Sequence, residues 1–126
     1  ILEKLLKIAK ERRAQEDGKR VTIMCRNQQQ IFYLNEIWYL ESSAHRTMIH
    51  TYENVQVCHD KISDMEERMG ETFVRCHQSF LVNMKYIRRV EHDRFKLENG
   101  EEIPISKKRY MEARTRYFQY LEDAVS

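Results

Sequence analysis

A cysteine–histidine pair lies in the segment RCHQSFLVN at residues 75–83, and a second pair, Cys58 and His59, precedes it. Thiolates and imidazoles build both nucleophilic catalysts and zinc sites. Neighbouring residues of an extended strand point to opposite faces, so neither pair can ligate one ion or form a thiolate–imidazolium couple without distortion. A zinc site made from both pairs would also lack the usual ligand spacing of about two to four residues.

Nucleophilic catalysis lacks its other components. The sequence has no glycine-rich oxyanion loop, no serine in a nucleophile elbow and no carboxylate–histidine motif that accompanies a cysteine. We therefore predict that the protein is not an enzyme and uses no cofactor and no metal. Redox sensing by a partly accessible Cys76 stays open, although the sequence places no second cysteine to resolve an oxidised thiol.

The composition limits the class of protein. With 126 residues and 41% apolar content, the chain suits one cored domain. Three cysteines cannot all pair with one another, and nothing resembles a signal peptide. Because no apolar run approaches the length of about 20 residues that spans a bilayer, we predict a soluble cytoplasmic protein with no membrane partner.

Charge is unevenly distributed, although the formal net charge is only +2. Residues 75–96 carry six Lys and Arg residues against two acidic ones, and residues 53–71 carry six Asp and Glu residues against two basic ones. A basic side suits a polyanion, because phosphate binding releases counterions. The alternative is chance clustering in a chain with 33% charged residues.

The pattern of apolar residues changes near residue 20. Residues 1–18 predict an amphipathic helix with Ile1, Leu5 and Ile8 on one stripe. Because this stripe stops at Arg12 and Arg13, we interpret it as a linker helix from a missing N-terminal domain or as a dimer contact rather than as part of the core; the start at Ile1 rather than Met suggests a fragment of a longer chain. From Val21 the apolar period becomes two, and VTIMC, IFYL and WYLES predict strands.

The middle of the chain predicts a hairpin and a short helix. In TMIHTYENVQVC, a two-residue loop at 53–54 would pair His50 with Val57 and bury His50 in the core as a hydrogen-bonded histidine. In the helix KISDMEERM, Asp60 is the predicted N-cap and Gly70 the predicted stop. The predicted inward face comprises Ile62, Met65 and Met69.

The segment RFKLENGEEIPIS predicts a second hairpin, whose register is informative. A two-residue loop at residues 99–100 would set Leu97 opposite Glu102 and place a charged residue on the apolar face. A three-residue loop, 98–100, with Gly100 left-handed instead pairs Phe95 with Ile103. Pro104 then belongs on an edge strand.

The C-terminal segment SKKRYMEARTRYFQYLED predicts a helix with Ser106 as its N-cap. Lys107 and Lys108 would lie in its first turn, where the helix dipole disfavours cations. A phosphate backbone would make both lysines favourable, so we predict a DNA contact at this turn. The alternative is that both lysines are simply solvated.

Three segments together resemble a known family. YLESSAHRTMIHT, FVRCHQSFLVN and LENGEEIPISKKRY are similar, in family order, to the blocks of the LytTR family of bacterial DNA-binding domains. The resemblance implies a mainly β fold: an elongated domain of three antiparallel sheets with a short helix, here residues 19–126, plus a C-terminal helix. Residues 1–18 would be the linker helix from a receiver domain.

The resemblance also implies a function. Family members usually form the output half of a two-component response regulator and bind double-stranded DNA to regulate transcription. They insert loops into successive major grooves, usually as two copies on a direct repeat, so a homodimer on DNA is expected.

The motif positions imply site residues. Arg46 can donate two hydrogen bonds to guanine, Gln78 can pair with adenine, and Lys107 can donate to guanine or a phosphate. The expected base contacts are His45, Arg46, Gln78 and Lys107. The expected contacts to the DNA backbone, which position the protein without reading sequence, are Arg75, Ser79, Lys85, Arg88, Lys108 and Arg109.

The remaining residues of the RCHQSFLVN motif are expected to support these contacts. Cys76 and Phe80 should pack inward, and His77 should hold the loop through a hydrogen bond. Asn83 should stabilise the turn before Tyr86. For Arg75, a structural ion pair with a carboxylate is the alternative to a phosphate contact.

Two other functions stay open at the level of sequence. The first is a regulatory protein-interaction module that uses its strand edges and the N-terminal apolar stripe. The other is RNA binding, which is less favoured than DNA binding or protein interaction because no aromatic pair lies on a recognisable platform motif.

Overall fold

The computed structural model of the protein describes residues 19–125, which fold into ten strands and two α-helices. The predicted linker helix at residues 1–18 lies outside the described residues. In chain order the elements are β1 Arg20–Cys25, β2 Gln28–Tyr33, β3 Ile37–Ser43, β4 Arg46–Thr51, β5 Val55–Cys58, α1 Ile62–Met69, β6 Phe73–His77, β7 Phe80–Asn83, β8 Ile87–Glu91, β9 Arg94–Leu97, β10 Glu102–Pro104 and α2 Tyr110–Val125.

The strands form three antiparallel sheets. Strands β1 and β2 make a separate hairpin, β5-β4-β3-β7-β6 is the central sheet, and β10-β9-β8 is the third sheet. The predicted mainly β fold, with three antiparallel sheets, a short helix and a C-terminal helix, is confirmed. Neither α1 nor α2 has the length and apolar content of a membrane-spanning helix.

The middle of the central sheet, at β7, is buried on both faces. Leu81 and Val82 are adjacent on β7 and point to opposite faces, yet both are fully buried. One apolar cluster combines Leu81 with residues of the β1–β2 hairpin and α1. The other combines Val82 with residues of the third sheet and α2, including Phe95 and Tyr117. The domain therefore consists of two cores that share one sheet.

Helix α1 lies on the first core as its apolar spacing predicts. Its three predicted inward residues are buried, and Gly70, with φ of 82°, ends it in the left-handed region. The prediction of Asp60 as N-cap is wrong. Lys61 occupies that position without a side-chain hydrogen bond, while the Asp60 carboxylate pairs with Arg68 at 3.2 Å.

The β4–β5 hairpin differs from its prediction in the position of its loop and in the face of β4 that is buried. His50 lies opposite Val55, and the loop closes through the Thr51 N–H, which donates to the Asn54 carbonyl oxygen at 2.9 Å. The buried residues of β4 are Thr47 and Ile49. The other face of β4 is only partly buried, because the second core does not include its residues.

His50 is therefore hydrogen-bonded, as predicted, but it is not a core residue. Its Nε2 lies 3.2 Å from Glu41 Oε1, and its ring stacks on Tyr39 with the centroids 4.1 Å apart. About a fifth of the side chain, 19%, is exposed.

The β9–β10 hairpin confirms its prediction. Phe95 pairs with Ile103, and Gly100 has φ of 93° in a loop that the Leu97 N–H closes by donating to the Glu101 carbonyl oxygen at 2.8 Å. Pro104 ends β10, which is an edge strand of the third sheet.

Asn83 is a buried amide that joins two loops. It is 1% exposed, and its Oδ1 accepts from the Lys85 N–H at 3.0 Å, which confirms the predicted support of the turn before Tyr86. Its Nδ2 donates to the carbonyl oxygens of Ile37, at 3.0 Å, and Leu34, at 3.3 Å. The start of β3 and the end of β7 are thus held together by one side chain.

Asn83→Ala should lower the free energy of unfolding by roughly 2 kcal/mol, because it removes several hydrogen bonds and leaves buried backbone groups without partners. Urea denaturation measures the change. The matched control is Gln29→Ala, which removes an exposed amide on β2 and should change stability by less than about 0.5 kcal/mol. Equal effects of the two variants would contradict the assigned role of Asn83.

Candidate nucleic-acid interface

Two hairpin turns lie side by side at one end of the central sheet. Residues 44–45 connect β3 to β4, and residues 78–79 connect β6 to β7. Strands β3 and β7 are neighbours, with Glu41 opposite Phe80. Beyond this pair, the Ser42 N–H donates to the Ser79 carbonyl oxygen at 2.8 Å. The sheet hydrogen bonds therefore extend up to the two turns.

A third segment joins this end of the sheet. A 3₁₀ turn, Lys107–Arg109, follows Ser106, whose N–H donates to the Cys76 carbonyl oxygen at 2.8 Å. The Cys76 thiol donates in turn to the Pro104 carbonyl oxygen at 3.5 Å. Because Cys76 lies two residues before Gln78, the 3₁₀ turn is adjacent to the 78–79 turn. We call the three segments 44–46, 78–79 and 107–109 the turn flank.

All four residues predicted to contact bases lie on the turn flank with exposed side chains. These are His45, Arg46, Gln78 and Lys107. The flank thus brings together two cationic side chains, an imidazole and an amide. Their roles as base contacts stay predictions.

The 44–45 turn has a conformation that its residue types do not favour. Ala44 has φ of 48° and His45 has φ of 69°, and Ser43 pairs with Arg46. Two left-handed residues between paired strands are typical of a type I′ turn. Residues with a Cβ atom are disfavoured there by about 1–2 kcal/mol each. This conformation sets the direction of the Cα–Cβ bond of the exposed His45.

Side chains of β6 hold the 78–79 turn. His77 Nδ1 accepts the Ser79 N–H at 3.0 Å, which confirms the predicted loop-holding role of His77. Arg75 donates from Nε to the His77 carbonyl oxygen at 2.9 Å and from Nη2 to the Gln78 carbonyl oxygen at 2.5 Å. Gln78 itself is exposed. The turn therefore presents one amide side chain on a hydrogen-bonded backbone.

Arg75 makes the structural ion pair that the sequence left as an alternative. Its Nη1 lies 2.9 Å from Glu66 Oε1 on α1, and only 12% of the Arg75 side chain is exposed. The guanidinium thus has protein partners on three nitrogen atoms. This geometry favours a structural role for Arg75 over a phosphate contact.

The other residues predicted to contact the DNA backbone divide into two groups. Lys108 and Arg109 share the 3₁₀ turn with Lys107, and Ser79 belongs to the 78–79 turn. Lys85 and Arg88 follow the opposite end of β7. A strand of this length separates the groups by roughly 13 Å. Their contacts with DNA also stay predictions.

The start of α2 corrects one prediction. The helix begins at Tyr110, after the 3₁₀ turn, so Lys107 and Lys108 do not lie in its first turn. Ser106 occupies the N-cap of the 3₁₀ turn without a side-chain hydrogen bond, and its Oγ is buried without a partner among the described residues. The Arg109 N–H bonds instead to the Ser106 carbonyl oxygen at 3.1 Å.

Sequence reasoning missed His92, which lies next to the turn flank. His92 is exposed with φ of 52° in the turn between β8 and β9. The neighbouring Asp93 carbonyl oxygen accepts the Ile105 N–H at 2.7 Å. His92 and Lys107 both line a groove of about 430 Å³. The sequence signal that could have located this turn is the short polar segment EHDR between two segments of alternating apolar residues.

The cysteines are inward-facing side chains. Cys25, Cys58 and Cys76 are all buried, which confirms the inward packing of Cys76. Phe80 is partly buried against the second core. Burial raises the pKa of the Cys76 thiol to about 12 and also raises the pKa of Cys25 and Cys58. Within residues 19–125, no group of three or more His, Cys, Asp or Glu side chains could hold a metal ion.

The native protein should therefore react slowly with a thiol reagent such as Ellman's reagent at about pH 8, because the raised pKa leaves little thiolate and burial blocks access. Absorbance should show no rapidly reacting thiol in the native protein and three in denaturant. Rapid, stoichiometric labelling of one thiol in the native state would contradict the assigned burial and reopen redox sensing at Cys76.

Comparisons with known proteins agree with this fold. The model of the LytTr DNA-binding domain family matches residues 29–117. Among solved structures, the chain is similar to the LytTr DNA-binding domain of a Bacillus cereus protein described as a methyl-accepting/DNA response regulator. The TM-score is 0.65 at 25% sequence identity, over 80% of this chain and 98% of that one. The comparison with curated proteins gives no match.

The matched family is one of DNA-binding domains, not of enzymes. Its match spans most of the chain and includes the 44–46, 78–79 and 107–109 segments. On this match, the protein belongs to the LytTR family of DNA-binding domains.

Proposed function

We propose that this domain binds double-stranded DNA sequence-specifically in the bacterial cytoplasm and thereby regulates transcription. The observation that supports this most strongly is the turn flank, where three separate loops are tied to one end of a rigid sheet by backbone hydrogen bonds. Loops held in this way can enter a groove without first becoming ordered, which lowers the entropic cost of binding.

The base contacts would come from the adjacent residues His45 and Arg46, from Gln78 and from Lys107. The Arg46 guanidinium matches guanine O6 and N7, and the Gln78 amide matches adenine N6 and N7. Lys107 donates to guanine or to a phosphate, and His45 donates from the strained turn. Together these residues would read successive major grooves.

Phosphate contacts would come from two regions. Ser79, Lys108 and Arg109 border the base-reading residues, so they would fix the register of the flank on the duplex. Lys85 and Arg88, at the far end of β7, would contact phosphates elsewhere on the DNA. Because Arg75 is held by Glu66 and by the 78–79 turn, we assign it no phosphate contact.

The wider assembly is part of the proposal. We infer that the domain is the output of a two-component response regulator, with a receiver domain joined through the linker helix at residues 1–18. The similar Bacillus cereus domain is described as part of a response regulator, which supports this assignment. Two copies would bind a direct repeat in a promoter.

A second candidate function is a protein-interaction module that also uses strand edges and the N-terminal stripe. It is favoured by Met111, Phe118 and Leu121 of α2, which are 72%, 44% and 38% exposed. Salt dependence discriminates the two functions. Binding to duplex DNA should weaken steeply between low and moderate salt, whereas an apolar protein interface should be nearly insensitive.

Arg46→Ala should lose about 1–3 kcal/mol of binding energy at one base pair, because a guanidinium that donates twice to guanine reads that base. Lys108→Ala should weaken binding to all sequences and reduce the salt slope, because it removes a phosphate contact. Footprinting and gel-shift titrations over a salt series measure both effects. Identical profiles for the two variants would contradict the division into base and phosphate contacts.

His45→Gly should raise the free energy of unfolding by about 0.5–1 kcal/mol, because glycine tolerates φ of 69°. The same variant should weaken DNA binding, since it removes the exposed imidazole. Urea denaturation and gel-shift titration give the two values.

The matched control is Asn27→Gly at the equivalent position of the β1–β2 turn, where φ is 64°. It should leave DNA affinity unchanged and change stability less, because asparagine already tolerates this conformation. Unchanged DNA affinity in His45→Gly would remove His45 from the interface.

A further inference from the structure

We infer that Arg75 is a positioning residue for base recognition: it fixes the backbone of the 78–79 turn so that Gln78 meets its base in one orientation, and Glu66 of α1 holds Arg75 for this task. This inference rests on the proposed function and adds a residue pair to it. Arg75 was expected to contact the DNA backbone, and its geometry gives it a different task.

The guanidinium joins two parts of the fold. On one side, it donates to the carbonyl oxygens of His77 and Gln78, at 2.9 and 2.5 Å. On the other side, it pairs with Glu66 at 2.9 Å. Both carbonyls belong to the turn or its first flanking residue, so Arg75 fixes the direction of two successive peptide units.

Arg75 matters for Gln78 because the exposed Gln78 side chain takes its position from the backbone of the turn. The Gln78 side chain is exposed, and the turn contains no proline that would restrict its backbone. Two other hydrogen bonds hold Ser79: its N–H donates to His77 Nδ1 at 3.0 Å, and its carbonyl oxygen accepts the Ser42 N–H at 2.8 Å. Without Arg75, the His77 and Gln78 carbonyl oxygens would lose their shared donor, and the peptide between these residues could rotate.

The chemistry of the side chain matters as well as its charge. A planar guanidinium donates to several acceptors in a fixed geometry, whereas a lysine ammonium is a flexible point charge. Glu66 is partly exposed, at 42%, so its contribution is mainly to orient a guanidinium that is itself largely buried. The acidic helix α1 thereby becomes a structural support of the candidate interface.

A purely structural role for Arg75 would give a different result from a positioning role. Loss of a fold-stabilising ion pair lowers stability and weakens binding to all sequences alike. Loss of a positioning residue changes the preference at the base that Gln78 reads and leaves the preference at other bases unchanged. It should also have no further effect once the Gln78 side chain is absent, because coupled residues are not additive.

The experiment is a selection of bound duplexes from a random DNA library, followed by sequencing. It compares the wild type with Arg75→Lys, Gln78→Ala and the double variant. The wild type should prefer one base at the Gln78 position by about tenfold or more. Gln78→Ala should abolish this preference, Arg75→Lys should reduce it severalfold, and the double variant should match Gln78→Ala.

A matched pair of variants on α1 tests the role of Glu66 without changing the turn itself. Glu66→Gln removes the charge that holds Arg75 and should also reduce the preference at the Gln78 position. Glu67→Gln removes a neighbouring exposed carboxylate and should leave it unchanged. This pair keeps the inference testable if Arg75→Lys does not fold.

A second measurement needs no DNA. Amide hydrogen exchange of Ser79 should be severalfold faster in Arg75→Lys and Glu66→Gln than in the wild type, because the turn opens more often. The amide of Leu81, in the buried centre of β7, should exchange as in the wild type. Equal acceleration at both amides would mean a general loss of stability and would overturn the inference.

Failure of this inference differs from failure of the proposed function. If the wild type selects no DNA sequence, sequence-specific binding is wrong. If the wild type selects a sequence and Arg75→Lys retains the full preference at the Gln78 position, only the positioning role is wrong. An effect of Arg75→Lys that persists undiminished in the Gln78→Ala background would likewise overturn it.

Discussion

Burial of the middle of the central sheet on both faces is the constraint on which the rest of the fold depends. Leu81 and Val82 are neighbours on β7, and each is completely covered by a different layer. With both faces buried, this part of the sheet has only its turns left to meet a large ligand. The loops at one end of β3 and β7 carry the polar side chains of the turn flank. The same packing that excludes water from the sheet therefore holds these loops in place.

Local rules were sufficient for some elements and not for others: they placed the β9–β10 loop correctly but misplaced the N-cap of α1, where Asp60 pairs with Arg68 instead. The β9–β10 loop follows from Gly100 and from the register that keeps Phe95 opposite Ile103, both of which neighbouring residues specify. His50 is a counterexample, because both faces of β4 carry apolar residues. Which face becomes core depends on α1 and the β1–β2 hairpin, which cover Ile49 from distant parts of the chain. Local periodicity contains no information on that choice.

The candidate site, too, could be predicted from the sequence only in part. Family motifs located Arg46, Gln78 and Lys107 on exposed loops, but the partner of Arg75 could not be derived. Glu66 lies nine residues earlier, on another element, and reaches Arg75 only because α1 packs beside β6. His92 was missed for a related reason. Nothing in its own turn indicates that the Asp93 backbone is tied to Ile105, next to Lys107.

Left-handed backbone by itself does not identify the interface. Ala44, His45 and His92 have positive φ near the turn flank, but Arg26 and Asn27 have it in the β1–β2 turn as well. Type I′ turns between twisted strands have this conformation wherever they occur. The 44–45 turn differs because the backbone of Ser42, near its base, is bonded to Ser79 of the next loop. Because the 44–45 turn is tied to a second polar turn, the backbones that carry His45 and Gln78 are held at a fixed separation, as the proposed insertion of both side chains into DNA requires.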